Sequence, residues 1–369
     1  MLTKLVVALA AVAVAAPPPA PKGPLNQVTD SYIRRGVRAG YWYGEATLYS
    51  GAEASFAVNK NKTILEWYKK QVDGGILNAD GTIIDWDLNY YSLDDYRIGN
   101  NFLWWYQRTG DDKYKVATDI VRHQLDRHPR NPSGGFWHRQ PTYPNQMWLD
   151  GIFMADSFYA RYTKEFQPAN KTAWDDVARQ YDLIEEHTRN HTSKLLVHGY
   201  DEGKKAIWAD PVTGASPLVW NRAVGWYFMS LTESLDVWPK SHPGRKRLVE
   251  YFVTLAEGLR DAYERDGGWW LVMSEGYPGK PGNYIESSSQ AMFVYGLLHG
   301  LRTGLLSEKK FGKVAEKGYK ELVDKFLTKN TDGTLNFIET VEVGSLNSNA
   351  TFEVSRRNKL TDFPVWNKC

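Results

Sequence analysis

Two kinds of helical segment alternate along this chain, and no other feature restricts the fold as much. Residues 223–231 read AVGWYFMSL and residues 289–298 read SQAMFVYGLL, without one acidic or basic side chain. A helix apolar all round must be buried on all sides. Between such segments lie amphipathic ones: Trp174, Val177, Tyr181 and Ile184 fall at helical spacing opposite Asp175, Asp176, Arg179, Asp182 and Glu186. Tyr114, Ala117, Val121 and Leu125 repeat the pattern against Lys115, Asp119, Arg122 and Asp126. The spacing predicts inner helices near residues 44–57, 94–108, 148–166, 220–238 and 286–305. Each is followed by an outer helix, near 62–73, 112–128, 171–190, 243–265 and 308–328.

A ring of inner helices wrapped by outer ones satisfies this pattern, because a linear solenoid leaves more sides of the inner layer exposed. The expected fold is therefore all-α, an (α/α) barrel. A helix near 26–38 is then an outer helix without a partner, and the sixth inner helix has to come from the C-terminus. Gly151, Ala155, Gly225 and Gly296 provide close approach where the ring is tightest. Strand is expected to be minor and confined to connections such as 81–87 and 267–273.

A net charge of +2 gives no electrostatic footprint for nucleic acid or an anionic membrane, so neither is expected as a partner. The 15 Trp and 22 Tyr exceed the usual needs of a core and suit a groove for ligands with apolar faces and many hydroxyls, such as sugars; an aromatic core is the alternative. Residues 1–20 read as a signal peptide and Pro-rich processing region: Lys4, an apolar run over 5–16, then Pro17, Pro18 and Pro19. A secreted, extracellular protein follows as the expectation, with a single catalytic domain over 23–352 and an atypical tail over 353–369. Four N-x-[ST] sequons, at Asn61, Asn170, Asn190 and Asn349, are candidate glycosylation sites. The one cysteine, Cys369, leaves no intrachain disulfide and no Cys-based zinc site or nucleophile. His187 and His191 have zinc-pair spacing but lie at the end of an outer helix, and no metal is assigned to them.

Glu45, Asp94, Asp150, Arg222 and Glu286 all fall at or near the start of an inner helix. In a ring of parallel inner helices those starts share one rim. Helix-dipole and capping preferences explain the carboxylates but not Arg222, since a cation at an N-terminus needs an anionic partner or ligand. The loop over 134–151, GGFWHRQPTYPNQMWLDG, adds His138, Arg139 and Trp148 and ends on Asp150, while His198, Trp220 and Trp226 complete the inventory. Paired carboxylates suit glycosidic chemistry, and an arginine beside them suggests a substrate with its own carboxylate, which places uronic acids above neutral sugars.

The segments SLDDYRIGNN, GGFWHR, YPNQMWLDG, WADPVTGASPLVWNRAVGWY and NYIESSSQAMFVYGLL resemble glycoside hydrolase family 105, the unsaturated rhamnogalacturonyl hydrolases, in order over about residues 26–352. The resemblance extends to the related unsaturated glucuronyl hydrolases of family 88, and the leader suggests a fungal secreted form. It implies an (α/α)6 barrel, no cofactor, and removal of 4,5-unsaturated galacturonic acid from the non-reducing end of rhamnogalacturonan (pectin) fragments. It also implies that Asp150 protonates C4 of the enol ether and then serves as base for water. Asp94 fits the family's second carboxylate; His138, Trp148, His198, Trp220, Arg222 and Trp226 fit substrate-contacting positions. An unsaturated oligosaccharide is the expected partner, and a monomer the expected state.

A proton donor needs a raised pKa where a helix N-terminus lowers it, and Asp94, as a nearby like charge, is the expected opposing influence, ahead of desolvation by Trp148. The pattern departs from the family after NATF at 349–352, where EVSRRNKLTDFPVWNKC replaces an expected closing helix. Two alternatives remain at this level: an inverting glycosidase of another (α/α)6 family using Asp94 and Asp150, and a non-catalytic glycan-binding protein.

Overall fold

The computed structural model describes residues 23–355 and 359–360. The signal segment over 1–20 and most of the 353–369 tail lie outside them. α1 (Pro24–Arg34) precedes five inner-outer units. α2 (Tyr43–Asn59) pairs with α3 (Lys62–Gly75); a short strand β1 (Tyr91–Ser92) leads into α4 (Leu93–Tyr96) and α5 (Gly99–Thr109), which pair with α6 (Asp112–Asp126). Strands β2 (Arg139–Gln140) and β3 (Gln146–Trp148) lead into α7 (Leu149–Gly151), a π-helical turn Ile152–Asp156 and α8 (Ser157–Phe166), with α9 (Lys171–Thr188) outside. After β4 (Gly199–Asp201) come α10 (Asn221–Val237) with α11 (Gly244–Asp266), and α12 (Ser287–Thr303) with α13 (Glu308–Phe326). Inner helices α2, α5, α8, α10 and α12 pack in that order, each against the next, as the two-layer pattern predicts.

The small residues are where the inner layer needs them. A Cβ on Gly296 would lie 2.4 Å from the Phe228 ring, one on Gly225 2.5 Å from the Met292 sulfur, and one on Gly151 2.7 Å from Leu93. Inside the ring, Arg97 donates to Glu233 at 2.7 and 2.9 Å and to Ser157 at 2.8 Å, with its guanidinium 3.8 Å from the centre of the Phe153 ring. This bidentate pair joins the α4–α5 junction to α8 and α10. A buried cation in a barrel interior has to be matched in this way, because desolvation without a partner is costly.

Two expectations need correction, and the expected loss of the closing helix is met among the described residues. Two inner segments expected to be continuous are broken, at Arg97 and Ile98 between α4 and α5, and by the π-helical turn between α7 and α8. Strand is minor but forms lateral ribbons between rim loops, β1 with β2 and β3 with β4, while 81–87 and 267–273 contribute only isolated bridges. The C-terminal region forms a hairpin of β5 (Leu327–Lys329) with β6 (Leu335–Phe337), then β7 (Thr340–Val341), a crossing segment, α14 (Phe352–Ser355) and β8 (Lys359–Leu360) paired to β7. Among the described residues no sixth inner helix follows α13. The neighbouring faces keep Tyr295 and Leu298 of α12 at 43% and 40% exposure and Val58 of α2 at 76%.

Each sequon asparagine accepts a backbone N–H through Oδ1: Asn61 from Thr63, Asn170 from Ala173, Asn190 from Thr192 and Ser193, Asn349 from Thr351. These are helix caps and Asx turns, which supply a folding reason for Asn at these positions. His187 lies flat on Tyr200 with ring centres 4.2 Å apart. No helix among the described residues is long and apolar enough to cross a membrane.

Candidate active site

The rim is built by one repeated contact. The first backbone N–H of an inner helix has no partner within its own helix, and in four units it donates to a carbonyl in the next rim loop. Leu93 donates to His138 (3.1 Å), Leu149 to His198 (2.9 Å), Asn221 to Leu271 (2.9 Å) and Ser287 to Glu339 (3.1 Å). The next residue along each helix is Asp94, Asp150, Arg222 and Ser288. These four therefore occupy equivalent places, and the first two each face a histidine supplied by the following loop.

At the Asp150 place, His198 Nε2 lies 2.9 Å from Asp150 Oδ2. His198 stacks on Trp220 at 5.1 Å and 14°, which fixes the imidazole plane. Burial pushes the Asp150 carboxyl up, but the charge and hydrogen bond of His198, then the charge of His138, outweigh it and hold Asp150 below its ordinary value. The expected role of Asp94 as the charge opposing the helix terminus is therefore corrected: burial opposes it, and Asp94 is engaged elsewhere. Arg139 Nη2 lies 2.6 Å from Asp94 Oδ2 and its Nε donates to Ser92 (3.3 Å).

His138 stands between the two carboxylates, 3.8 Å from Asp94 Oδ1 and within the field of Asp150. Burial pulls its pKa below the usual imidazole range against the pull of both acids. Its ring lies on Trp148 at 4.0 Å and 13°, and Tyr143 packs against both, with ring centres 4.5 Å from Trp148 and 5.9 Å from His138. Trp148 Nε1 donates to Gln146 Oε1 at 3.1 Å. Asp150 and Asp94 retain 14% and 8% of their side-chain exposure and Arg139 24%, so neither carboxylate is sealed off from solvent.

Arg222 has the anionic partner its position demands, and it is Glu286. The two lie 3.3 Å apart, and Arg222 also donates to Ser288 Oγ and to the carbonyls of Val341 and Glu342. Glu286 is fully buried; it caps α12 through Ser289 N and accepts from Val341 N. The structure thus places Arg222 and Glu286 in an anchor for the C-terminal segment. Trp226 lies one turn below, stacked on Phe153 at 4.8 Å and edge-on to Tyr43 at 6.0 Å. Glu45 is at the start of α2; burial raises its pKa, and its Oε2 is buried with no hydrogen-bond partner among the described residues. In the 268–270 tract Trp269 is core, donating to Leu259 O.

Sequence reasoning missed Tyr143 and Gln146, although both lie in the loop it singled out. It also missed Asp95, whose carboxyl is pushed up to about 7 by burial and then by the charge of Asp94. Trp208, packed with Tyr143 and Trp148 beneath Leu346 and Ala350, was missed as well.

With this geometry in view, the chain matches the model of Glycosyl Hydrolase Family 88 over residues 25–365. The chain belongs to glycosyl hydrolase family 88/105. A glycoside hydrolase of family 105 from C. acetobutylicum is 31% identical and superposes with a TM-score of 0.86, covering 92% of this chain and 95% of that one. An unsaturated 3S-rhamnoglycuronyl hydrolase of Alteromonas sp. is 25% identical over 86% of this chain and 75% of its own. An unsaturated rhamnogalacturonyl hydrolase of Bacillus subtilis is 23% identical over 81% of each. A protein of Agrobacterium fabrum is 38% identical over 132 residues, 36% of this chain, so the match spans about half (55%) of that relative. For a family 88/105 chain the (α/α)6 toroid is the shared fold, here with five inner helices among the described residues.

Proposed function

We propose that this protein hydrates the C4=C5 enol ether of a 4,5-unsaturated galacturonic acid at the non-reducing end of a rhamnogalacturonan fragment, and so releases that sugar. One observation carries the reading: Asp150, at the start of an inner helix, is hydrogen-bonded to His198 at 2.9 Å beside a second, arginine-paired carboxylate at Asp94. A proton from Asp150 adds to C4, and the positive charge formed at C5 is shared with the ring oxygen. Water, deprotonated by the same Asp150, adds at C5. The hemiketal then opens, and the glycosidic oxygen leaves with a proton, so atoms and charge balance.

Asp150 starts below its ordinary pKa, so the proton has to be taken up as substrate binds. A uronate carboxylate entering the site adds a like charge and expels water, and both raise the Asp150 pKa. Arg139 is suited to meet that carboxylate, because among the described residues no partner lies on its Nη1. Trp148, packed on His138 and Tyr143, and Trp220, stacked on His198, hold the two imidazoles in place beside the carboxylates. The names of the Bacillus subtilis and Alteromonas relatives support an unsaturated uronyl substrate. Secretion, the glycosylation of the four sequons and a monomeric state are part of the same proposal.

The test is loss of the ultraviolet absorbance of an unsaturated galacturonyl-rhamnose disaccharide on incubation with the protein. Turnover that disappears in Asp150→Asn supports the reading. Equal cleavage of a saturated disaccharide overturns it.

A further inference from the structure

Half of the rim is roofed. After β7, Gly344 sits so close to Trp220 that a Cβ would lie 2.3 Å from its ring, and Trp208 Nε1 donates to Leu346 O at 2.7 Å. Leu346 and Ala350 are buried against Tyr143, Trp148 and Trp208, and Phe352 ends the crossing on Tyr277 at 5.1 Å. This segment covers the starts of α7 and α10 and is tied to that of α12. Away from that cover, Arg139 keeps 24% of its exposure beside Asp94, and this is the side by which a ligand chain longer than the terminal sugar is taken to leave.

That side presents apolar surface on a stiff support. Tyr90 and Leu88 are 41% and 50% exposed, and Trp86 packs on Tyr41 with ring centres 5.1 Å apart. Tyr41 donates to Asp85 O at 3.1 Å, Trp86 Nε1 donates to Gln124, and Gln124 Nε2 donates to the carbonyls of Asp87 (2.9 Å) and Tyr90 (2.8 Å). Asp95, next to Asp94, lies within electrostatic reach of both Tyr41 and Tyr90, which ties the patch to the site. Large side chains held exposed on an anchored loop mark a binding surface rather than core. Residues 81–92 include Asp85 and Asp87 and no lysine or arginine, so the loop has nothing to hold a sugar carboxylate. It can hold apolar C–H faces.

We propose that Tyr41, Trp86, Leu88 and Tyr90 form the landing surface for the sugars attached behind the terminal one, which cross the 85–91 loop and stack by their apolar faces. This rests on the function proposed above. The test compares the methyl glycoside of the unsaturated uronic acid with an unsaturated rhamnogalacturonan tetrasaccharide. Tyr90→Ala is expected to raise KM for the tetrasaccharide about tenfold, the loss of one ring contact, with the methyl glycoside unchanged. Leu88→Ser acts in the same direction, and the effect persists at high salt. Thermal melts of both variants matching the wild type show that the fold is retained. Equal changes for both substrates, or none, overturn the proposal. If the wild type turns over neither substrate, the proposed function fails, and the surface is decided by calorimetric binding of the saturated tetrasaccharide: about tenfold weaker in Tyr90→Ala supports it, and equal affinity overturns it.

Discussion

Replacing His198 with Ala isolates the contact that controls the proton on Asp150. The bond from His198 to Asp150 is 2.9 Å long, and the two side chains are only 6% and 14% exposed. A hydrogen bond to a charged group in such a setting is worth about 1.5–3 kcal/mol, and a pKa unit corresponds to about 1.4 kcal/mol. Its removal therefore raises the Asp150 pKa, because burial already pushes upward and only His138 and the backbone still oppose it. The pH dependence of kcat/KM follows the ionisation of the free enzyme even where Asp150 takes up its proton on binding, so a higher Asp150 pKa extends activity toward higher pH. The assay is the pH profile of kcat/KM from loss of substrate absorbance. The limb on which activity falls with rising pH moves up in His198→Ala, even where the maximal rate drops through loss of positioning. A limb that stays in place or moves down refutes the assignment of His198 as the group that holds Asp150 ionised.

Asp150→Asn is expected to abolish turnover with substrate affinity retained, measured by titration calorimetry; loss of binding in step with activity would show that Asp150 binds rather than donates. Arg222→Met leaves the Glu286 charge buried and frees the crossing segment, at a cost of about 3–5 kcal/mol in denaturant unfolding, and adding Glu286→Gln restores part of it. Gly296→Ala drives a Cβ to 2.4 Å from Phe228 and should cost about 1–3 kcal/mol by the same measurement. Asp95 binds its proton more tightly folded, about 7 against 3.8, so stability is highest below the unfolded value and is lost as pH rises through about 7. The full shift would correspond to about 4 kcal/mol, reduced to about 1–2 by the partial exposure of the carboxyl. Asp95→Asn should therefore be more stable than wild type at pH ~8 and show no gain at pH ~4, read from unfolding free energies at both.

The two-layer barrel was legible because burial on all sides leaves a sequence signal that no surface helix carries: α10 and α12 have no charge over residues 223–231 and 289–298. The breaks in the inner layer were not legible, since the π-helical turn over Ile152–Asp156 has the same apolar composition as an α-helix and differs only in which carbonyl each N–H reaches. Rim membership of Asp94, Asp150, Arg222 and Glu286 followed from phase along the repeat. Their partners did not, and Arg222 shows why. The sequence established that a cation at a helix start needs an anion, and two candidates fitted: a substrate carboxylate or a neighbouring acid. Glu286 lies 64 positions away, and the choice depended on where β7 crosses the rim, in a segment whose own pattern had no assigned place. A signal was nonetheless present. Asp94 and Asp150 each precede a loop histidine, His138 and His198, by about 45 residues. Aligning the units on these acids sets Arg222 in the same register. The position that presents a carboxylate to a histidine in two units thus presents a guanidinium to a carboxylate in the third, so one backbone contact serves chemistry in the first case and closure of the roof in the second.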